Sequence, residues 1–257
     1  MTRVWNSLSG WMERRRTLAS SSIGFVPTMG ALHCGHASLV ERCRRENEIV
    51  VVSIFVNPSQ FNDPKDLDRY PRTLDRDLAL LDGLDVDDVI VPCAPELYPE
   101  GYRFRLECDS RYQVMEGLFR PGFLQGVMTI VLKLLNIVRA DRAYFGEKDY
   151  QQLAVITEMV DDFFIPTEII PCPTVRGESG LAESSRNALL SEDSARKAAS
   201  LFRVLTSAEN PAHARSILET EGFAVDYVEE HWERRFVAAS LDGVRLIDNV
   251  PLPQAAH

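Results

Sequence analysis

Ile49-Val50-Val51-Val52-Ser53-Ile54-Phe55-Val56 is the strongest indication of the fold in this sequence. Most of its residues are β-branched, and apolar side chains occupy both alternating sets of positions. A strand of this kind is buried on both faces, which is typical of a parallel sheet. Further strands are predicted at residues 23–27, 88–91, 142–145 and 168–170. Helix-compatible sequence such as residues 38–45, 73–81 and 126–139 separates them, so we expect a doubly wound parallel α/β sheet.

The composition changes beyond about Thr174, where Glu, Ser, Arg and Ala become dominant. Helices are predicted at residues 192–206 and 212–222. Asp242-Gly243 lies between two apolar runs, which is a strong hairpin signal. We therefore expect a first domain of residues 1–174 and a second, smaller α+β domain of residues 175–257.

The composition excludes several classes of protein. The 257 residues are 45% hydrophobic and 26% charged, with a formal charge of −10, as in ordinary globular proteins. No basic block is long enough to follow a nucleic-acid backbone, so no nucleic-acid partner is expected. The five cysteines are scattered without a Cys-x-x-Cys pair, which argues against a disulfide framework. No secretory signal or membrane-spanning run is evident, and we expect a cytoplasmic protein without a membrane partner.

The first strand leads into Gly30-Ala31-Leu32-His33-Cys34-Gly35-His36 at a helix start. A helix N-terminus binds phosphate readily. If His33 and His36 lie three residues apart on one helix, their rings share a face and can meet one ligand. Gly35 leaves room for a flat base. Two other readings stay open, a pair of surface or capping histidines and a metal site, because spaced histidines are also zinc ligands.

Three more polar clusters follow predicted strands or lie at the domain junction. Asn57 and Gln60 come directly after the β-branched run, where ligands of open α/β sheets gather. The alternative reading is an Asn-Pro turn. Lys148 lies in Phe-Gly-Glu-Lys-Asp (residues 145–149), where a lysine can neutralise phosphoryl charge or be part of a solvated turn. Ser184-Ser185-Arg186 can hold phosphate oxygens, or belong to a flexible linker.

At this point the chain resembles the pantothenate synthetase (pantoate–β-alanine ligase) family. The resemblance rests on Val-Pro-Thr-Met-Gly-Ala-Leu-His-x-Gly-His (26–36), Ser-Ile-Phe-Val-Asn-Pro-x-Gln-Phe (53–61), Tyr-Pro-Arg-Thr-Leu (70–74), Phe-Gly-Glu-Lys-Asp-Tyr-Gln-Gln-Leu (145–153) and Ser-Ser-Arg-Asn (184–187). Arg-Leu-Ile-Asp-Asn (245–249) adds a looser match. The histidine pair alone marks the wider HxGH nucleotidyltransferase superfamily.

The resemblance implies a Rossmann-like domain with a small C-terminal lid domain, in a homodimer. It implies that ATP, with Mg²⁺ bound to it, activates pantoate as pantoyl-adenylate, and that β-alanine then displaces AMP to give pantothenate. No further metal is implied. The implied catalytic residues are His33, His36, Lys148 and Arg186. The implied ATP-binding residues are Met29, His33, Gly35, His36, Gly146, Lys148, Asp149, Val175, Ser184, Ser185 and Arg186. The implied pantoate-binding residues are Pro27, Thr28, Met29, Asn57, Gln60 and Gln152.

Four residues depart from the family pattern. One is Cys34, which replaces a usual acidic residue and from which we expect little effect. Phe123 and Gln125 stand where the family usually has histidine and often a basic or small residue, and Glu183 replaces a usual apolar residue. A carboxylate beside a triphosphate opposes ATP binding, so we expect Glu183 to lower the affinity for ATP. One alternative is therefore a weakened or non-catalytic homologue that binds ATP or a metabolite. The other is a different HxGH nucleotidyltransferase, which should lack the Asn57, Gln60 and Gln152 set.

Overall fold

The computed structural model describes residues 1–62, 64–99 and 101–253. Contacts divide the chain into two compact units. The first unit takes in Met1–Glu147 and Gln151–Cys172. The second takes in Lys148–Tyr150 and the described residues from Pro173 onward. Within the described ranges, no helix has the length and apolar composition needed to cross a membrane.

The first unit is built on a parallel sheet with strand order β1-β4-β3-β2-β5-β6. The strands are β1 (Arg3–Trp5), β2 (Ile23–Thr28), β3 (Ile49–Ile54), β4 (Asp88–Ile90), β5 (Arg142–Gly146) and β6 (Glu168–Cys172). The order reverses between β2 and β5, which is the switch point where ligands of doubly wound sheets bind. The parallel α/β fold class predicted from the sequence is thus confirmed.

Helices connect these strands along the chain. They are α1 (Leu8–Arg16), α2 (Cys34–Glu46), α3 (Pro64–Arg69), α4 (Leu74–Gly83), α5 (Ala94–Leu97), α6 (Glu116–Phe119), α7 (Phe123–Val138) and α8 (Tyr150–Asp162). Val50 and Val52 of β3 are fully buried and share one core cluster with Val40 of α2 and Leu81 of α4. The β-branched run is therefore the centre of the core, as its double-sided apolar pattern indicated.

The second unit contains the antiparallel sheet β7-β8-β9 and three helices. Its elements are α9 (Glu192–Ala198), α10 (Ser200–Ser207), α11 (Pro211–Thr220), β7 (Ala224–His231), β8 (Arg234–Leu241) and β9 (Val244–Pro251). Asp242 and Gly243 both have positive φ, at 49° and 78°, as the two central residues of a type I′ hairpin turn require. The predicted Asp-Gly hairpin is confirmed.

Several predicted elements differ in extent from those observed. Strand β3 ends at Ile54 rather than at residue 56, and α2 begins at Cys34 rather than at residue 38. The single helix predicted at residues 192–206 is interrupted at Ala199, which ends α9 and precedes α10. Strands β1 and β7 were not predicted. Of the predicted second domain, residues 254–257 lie outside the described residues.

Candidate active site

The connection from β2 to α2 is a tight turn with left-handed backbone. Gly30 has a φ of 79° and Ala31 a φ of 50°. A Cβ atom on Gly30 would lie 3.1 Å from Oδ2 of Asp77, so this position favours glycine both for its φ and for space. Thr28 Oγ1 accepts a hydrogen bond from the backbone N–H of Gly30 at 3.2 Å. The turn places His33 immediately before α2, at its N-cap position.

The buried carboxylate of Asp77 holds this turn from α4. Asp77 is 1% exposed. Its Oδ2 accepts the backbone N–H of Ala31 at 2.9 Å, and its Oδ1 accepts that of Leu32 at 2.9 Å. The hydroxyl of Thr73 adds a third hydrogen bond, to Oδ1 at 3.1 Å. These bonds compensate a buried charge and stabilise the left-handed conformation of Ala31.

The two histidines lie against each other, but not as the sequence predicted. His33 is extended, with φ −138° and ψ 177°, and caps α2, whereas His36 lies in the helix. The assumption that both belong to one helix face was wrong, because His33 precedes the helix. The rings are nevertheless adjacent, with centroids 4.1 Å apart and planes at 49°. The capping interpretation is confirmed for His33, and the binding of one ligand by both rings stays a prediction.

The hydrogen bond from Gly35 determines which ring nitrogen of a neutral His33 carries the proton. Its Nδ1 accepts the backbone N–H of Gly35 at 3.1 Å. A neutral imidazole that accepts through Nδ1 carries its proton on Nε2, so His33 has Nε2–H as a donor. The 13-residue helix α2 has no acidic residue in its first turn. Its partial positive charge therefore adds to the histidine donors, an arrangement suited to a phosphate.

Asn57 lies just beyond β3 and is 1% exposed. Its Oδ1 accepts the hydroxyl protons of Ser59 at 3.0 Å and Tyr98 at 2.9 Å. Its Nδ2 donates to Oε1 of Gln60 at 3.1 Å and to the carbonyl oxygen of Gly126 at 3.3 Å. Both ends of the amide are thus bonded within the protein. Asn57 orients Gln60 by this network.

Gln60 connects this network to the residue that follows β2. Its Oε1 faces Asn57, and its Nε2 lies 2.9 Å from Sδ of Met29. Three of the residues predicted to bind pantoate therefore contact one another at one edge of the sheet. Pro27 and Thr28 are the last two residues of β2. Gln152, the sixth, is half-buried in the first turn of α8.

Tyr98 is held as a neutral hydrogen-bond donor behind Asn57. Burial raises the pKa of the Tyr98 hydroxyl. The ammonium group of Lys133 lies 4.3 Å from the centroid of the Tyr98 ring, a cation–π contact, and donates to the carbonyl oxygen of Leu97 at 2.5 Å. Burial lowers the pKa of Lys133. The aromatic ring and its hydroxyl thus form the rear wall of the Asn57 network.

Helix α7 approaches the Asn57–Gln60 segment closely at Gly126. A Cβ atom there would lie 2.3 Å from the carbonyl oxygen of Ser59, a contact that no side chain can make without movement. Arg120 Nη2 donates to the carbonyl oxygen of Gln60 at 3.1 Å, and its guanidinium stacks 3.7 Å from the centroid of the Phe123 ring. Phe123, one of the departures from the family pattern, therefore supports the arginine that holds Gln60.

The segment after β5 carries the predicted lysine. Gly146 is the last residue of β5, and Lys148 follows two residues later. The Lys148 side chain is 17% exposed, and its Nζ lies 3.9 Å from Oδ1 of Asp149. By its contacts, Lys148 belongs to the second unit, although Gly146 belongs to the first.

The second unit also carries the serine-rich segment. Glu183 donates its backbone N–H to the carbonyl oxygen of Val175 at 3.0 Å, which closes residues 175–183 into a loop. Ser184 Oγ accepts the backbone N–H of Arg186 at 3.3 Å and caps a short 3₁₀ helix, Ser185–Leu189. Ser184, Ser185 and Arg186 are all half-buried. They form one compact turn rather than an extended linker.

Four residues that support these side chains were missed in the sequence. They are Asp77, Tyr98, Arg120 and Gly126. Asp77 has a usable signal, because it lies three residues beyond the Tyr-Pro-Arg-Thr-Leu motif, which had no assigned role. Arg120 begins the run Arg-Pro-Gly (120–122), which fits the family pattern but had no assigned role. Tyr98 and Gly126 have no local signal, since their partners are 41 and 67 to 69 residues away in the sequence.

Comparisons with known proteins agree with this architecture. The family model of pantoate-beta-alanine ligase matches residues 1–251. The chain is 49% identical to a pantothenate synthetase of Bdellovibrio bacteriovorus over 252 residues, 98% of this chain and 100% of that protein. A Francisella tularensis pantoate-beta-alanine ligase, solved in complex with beta-gamma ATP and beta-alanine, superposes with a TM-score of 0.94 at 40% identity, covering 98% of both chains.

A pantothenate synthetase of Thermus thermophilus gives a TM-score of 0.91 at 41% identity, covering 98% of this chain and 100% of that one. The matched residues take in both units of the chain. The sequence motifs, the fold and these full-length matches agree, and the chain belongs to the pantoate–β-alanine ligase family.

Proposed function

We propose that this protein joins pantoate to β-alanine in two steps at the expense of ATP. One observation carries the proposal. The connection from β2 to α2 carries Met29 and leads to His33 and His36 at the positive end of α2. Met29 contacts Gln60, whose amide is bonded to that of Asn57, and these two amides form the amide cluster of the same unit. A phosphate-binding helix start beside amide groups suits a substrate that has a carboxylate and hydroxyl groups. Full-length family membership supports the same reaction.

In the first step a pantoate carboxylate oxygen attacks the α-phosphorus of ATP. An oxygen–phosphorus bond forms, the bond to the β-phosphate breaks, and pyrophosphate leaves. The carboxylate is already ionised and needs no general base. Repulsion between anions is the obstacle, and oriented donors and cations relieve it. His33, through Nε2–H, and His36 supply such donors beside the α2 terminus, and Gly35 leaves room for the nucleotide.

Lys148 and Arg186 complete the proposed catalytic set. Lysine and arginine side chains supply positive charge, which stabilises negative charge on the transferring phosphoryl group and on pyrophosphate. We assign further ATP contacts by family membership. These residues are Met29, Gly146, Asp149, Val175, Ser184 and Ser185.

Pantoate is the proposed ligand of the first unit's amide cluster. Gln60 and Gln152 have side-chain amides that suit its carboxylate and hydroxyl groups, and Pro27, Thr28 and Met29 lie at the same end of β2. Asn57 takes a different role from the one the sequence suggested. Because both ends of its amide are bonded within the protein, we propose that Asn57 fixes Gln60 instead of touching pantoate.

In the second step the β-alanine nitrogen attacks the acyl carbon of pantoyl-adenylate. A carbon–nitrogen bond forms, the carbon–oxygen bond to AMP breaks, and AMP leaves. The attacking amine must be neutral, so it gives up a proton before or during attack. The histidine donors that bound the α-phosphate are then in place to stabilise the departing AMP.

Mg²⁺ enters this proposal with ATP. Mg²⁺ prefers phosphate and carboxylate oxygens and retains water ligands. The Asp77 carboxylate of this region accepts three hydrogen bonds from the protein, so it does not suit a metal ligand, whereas the phosphates do. When bound, the ion neutralises phosphate charge.

The remaining assignments are also proposals. We propose an ATP- and pantoate-binding domain of residues 1–174 and a smaller domain of residues 175–257, in a homodimer. We propose a cytoplasmic location, since none of the five cysteines forms a disulfide and thiols persist in reducing compartments. Sedimentation of the purified protein tests the dimer.

Isotope exchange between pyrophosphate and ATP tests the reaction. We expect exchange that requires pantoate and does not require β-alanine, and AMP equal to pantothenate when both substrates are present. Exchange that ignores pantoate would overturn the proposal. A different nucleotidyltransferase would release pyrophosphate only with another acceptor, and a non-catalytic homologue would bind ATP without turnover.

A further inference from the structure

The Arg-Leu-Ile-Asp-Asn motif at residues 245–249 has no role in the proposed chemistry so far. It lies within β9, and its last two residues, Asp248 and Asn249, are 4% and 1% exposed. Buried polar side chains are retained where they are fully hydrogen-bonded. The partners of these two residues therefore indicate what the motif does.

The Asn249 side chain contacts the main chain of the proposed catalytic lysine. Its Nδ2 donates to the carbonyl oxygen of Lys148 at 2.9 Å. Its Oδ1 accepts from Nε of Arg234 at 2.6 Å. A guanidinium can only donate, so Arg234 fixes the amide with its oxygen toward the arginine and its nitrogen toward Lys148.

Aromatic contacts secure the same short segment. The Arg234 guanidinium lies 4.5 Å from the centroid of the Tyr150 ring. That ring packs against Trp232 and Phe236, with centroids 6.4 and 6.2 Å away. The three residues Lys148–Tyr150 are thus anchored to the C-terminal sheet at their main chain and at an aromatic side chain.

Asp248 anchors a second segment from the same strand. Its carboxylate binds the Arg176 guanidinium through two hydrogen bonds of 2.6 and 2.9 Å. Arg176 also donates to the carbonyl oxygen of Gly180 at 3.1 Å. It follows Val175 directly, at the start of the loop that leads to Ser184. Adjacent residues of β9 therefore hold the two segments of the second unit to which we assign ATP contacts.

We propose that Asn249 is a positioning residue for Lys148. A lysine side chain is long and flexible, and the place its ammonium group can reach depends on where its main chain is held. The Asn249 bond fixes that main chain, so Lys148 meets the developing phosphoryl charge without a search. The effect on catalysis rests on the proposed function. The hydrogen bond that holds the Lys148 main chain lies within the second unit and does not depend on that function.

Two variants separate this role from general stability. Asn249→Ala removes the hydrogen bonds to Lys148 and Arg234, and Asn249→Asp keeps an acceptor for Arg234 while it removes the donor to Lys148. The matched control is Asn210→Ala in the same unit. Asn210 caps α11 by accepting the backbone N–H of His213 at 2.9 Å, and it has no contact with Lys148 among the described residues.

We expect both Asn249 variants to lower kcat for pantoate-dependent isotope exchange about 10- to 100-fold, as small displacements of catalytic groups do. The KM for pantoate should change little. Asn210→Ala should lower the unfolding temperature and leave kcat unchanged. In the Lys148→Ala background, Asn249→Ala should cost no further activity, because its effect passes through Lys148. Wild-type kcat in Asn249→Asp, or full additivity with Lys148→Ala, overturns the proposal.

A second readout needs no substrate. Hydrogen exchange of the peptide spanning residues 148–150 should accelerate in Asn249→Asp and stay unchanged in Asn210→Ala. Unchanged exchange in Asn249→Asp contradicts the anchor itself. If the wild-type protein shows no pantoate-dependent exchange of pyrophosphate, the proposed function fails, while this measurement still decides whether Asn249 holds the segment.

Discussion

Asp77 on α4 accepts the backbone N–H of Leu32 at 2.9 Å, across 45 residues of sequence. Together with the bond to Ala31, this contact fixes the residues that immediately precede His33. The position of the histidine pair thus depends on a carboxylate that has no place in the chemistry. A buried acceptor with three donors leaves few alternative loop conformations, so the site is preorganised before substrate binds.

Asp77→Asn should weaken both the fold and the reaction. The amide has one acceptor fewer, so one buried N–H of the turn loses its partner, at a cost of roughly 1–3 kcal/mol. We expect a lower unfolding temperature and a lower kcat, measured by calorimetry and isotope exchange. Asp75→Asn is the matched control, because Asp75 lies exposed on the same helix. Equal kcat in the two variants would show that Asp77 does not position the histidines.

Gly126→Ala should raise the KM for pantoate. The new methyl group would lie 2.3 Å from the Ser59 carbonyl oxygen, so either α7 or the Asn57–Gln60 segment must move. Overpacking of this kind costs about 1–3 kcal/mol. Steady-state kinetics with pantoate varied measure the effect. In Gly83→Ala, the control, no atom lies within 4 Å of the added group, and an unchanged KM is expected. A wild-type KM in Gly126→Ala would exclude this segment from pantoate binding.

Tyr98→Phe should act on the same substrate more mildly. The substitution removes the Tyr98 hydroxyl that donates to Asn57 Oδ1, but this oxygen still accepts the Ser59 hydroxyl. The expected loss of stabilisation is therefore about 0.5–1.5 kcal/mol. We expect a moderate rise in the KM for pantoate and little change in the KM for ATP. Tyr102→Phe provides the comparison. Its hydroxyl donates to the Gln125 carbonyl oxygen at 3.3 Å and not to Asn57. Identical kinetics in the two variants would contradict the network.

Thiol labelling should report on the nucleotide site. Cys34 and Cys93 are exposed, whereas Cys43 and Cys172 are buried. With iodoacetamide and mass spectrometry we expect rapid modification of the exposed pair. ATP should protect Cys34, the first residue of α2, and leave Cys93 unchanged. Equal protection of both cysteines, or of neither, would count against nucleotide binding at the start of α2. Labelling in urea gives the total of five.

Cys43 should resist the same reagent up to about pH 10, because the thiolate is the reactive form. Burial raises the pKa of its thiol from the ordinary 9.0 to about 12. The folded chain favours the neutral thiol, so this group stabilises the fold below its ordinary pKa, and the contribution is lost as the pH rises through about 12. Labelling of Cys43 at pH 9 in the folded protein would disprove its burial.

The elements with strong local patterns could be predicted from the sequence. The β-branched run predicted β3 and the parallel sheet, and Asp242-Gly243 predicted the last hairpin. The hairpin between β7 and β8 was missed because its turn uses Trp232 and Glu233, with φ values of 47° and 55°, and neither residue type signals a positive φ. Strand β1 was missed because it is three residues long and gains its place by pairing with β4.

The candidate site divides in the same way. Sequence motifs predicted that His33, Asn57 and Lys148 follow strands, and in the structure they come after β2, β3 and β5. Sequence could not show that His33 caps the helix, since capping and helical positions differ by one residue. Nor could it show the role of Asp77. Its position three residues beyond the Tyr-Pro-Arg-Thr-Leu motif draws attention to it, but its partners in the turn between β2 and α2 lie 45 and 46 residues away in the sequence.

The second unit is discontinuous in the chain, because Lys148–Tyr150 pack with it while the residues on either side do not. A gene fragment that begins at Pro173 would therefore omit Tyr150 and leave Trp232 and Phe236 without one of their aromatic neighbours. The two units cannot be separated by a single cut. Any attempt to express, exchange or evolve the C-terminal part alone must carry this three-residue piece along, grafted from a position more than twenty residues upstream.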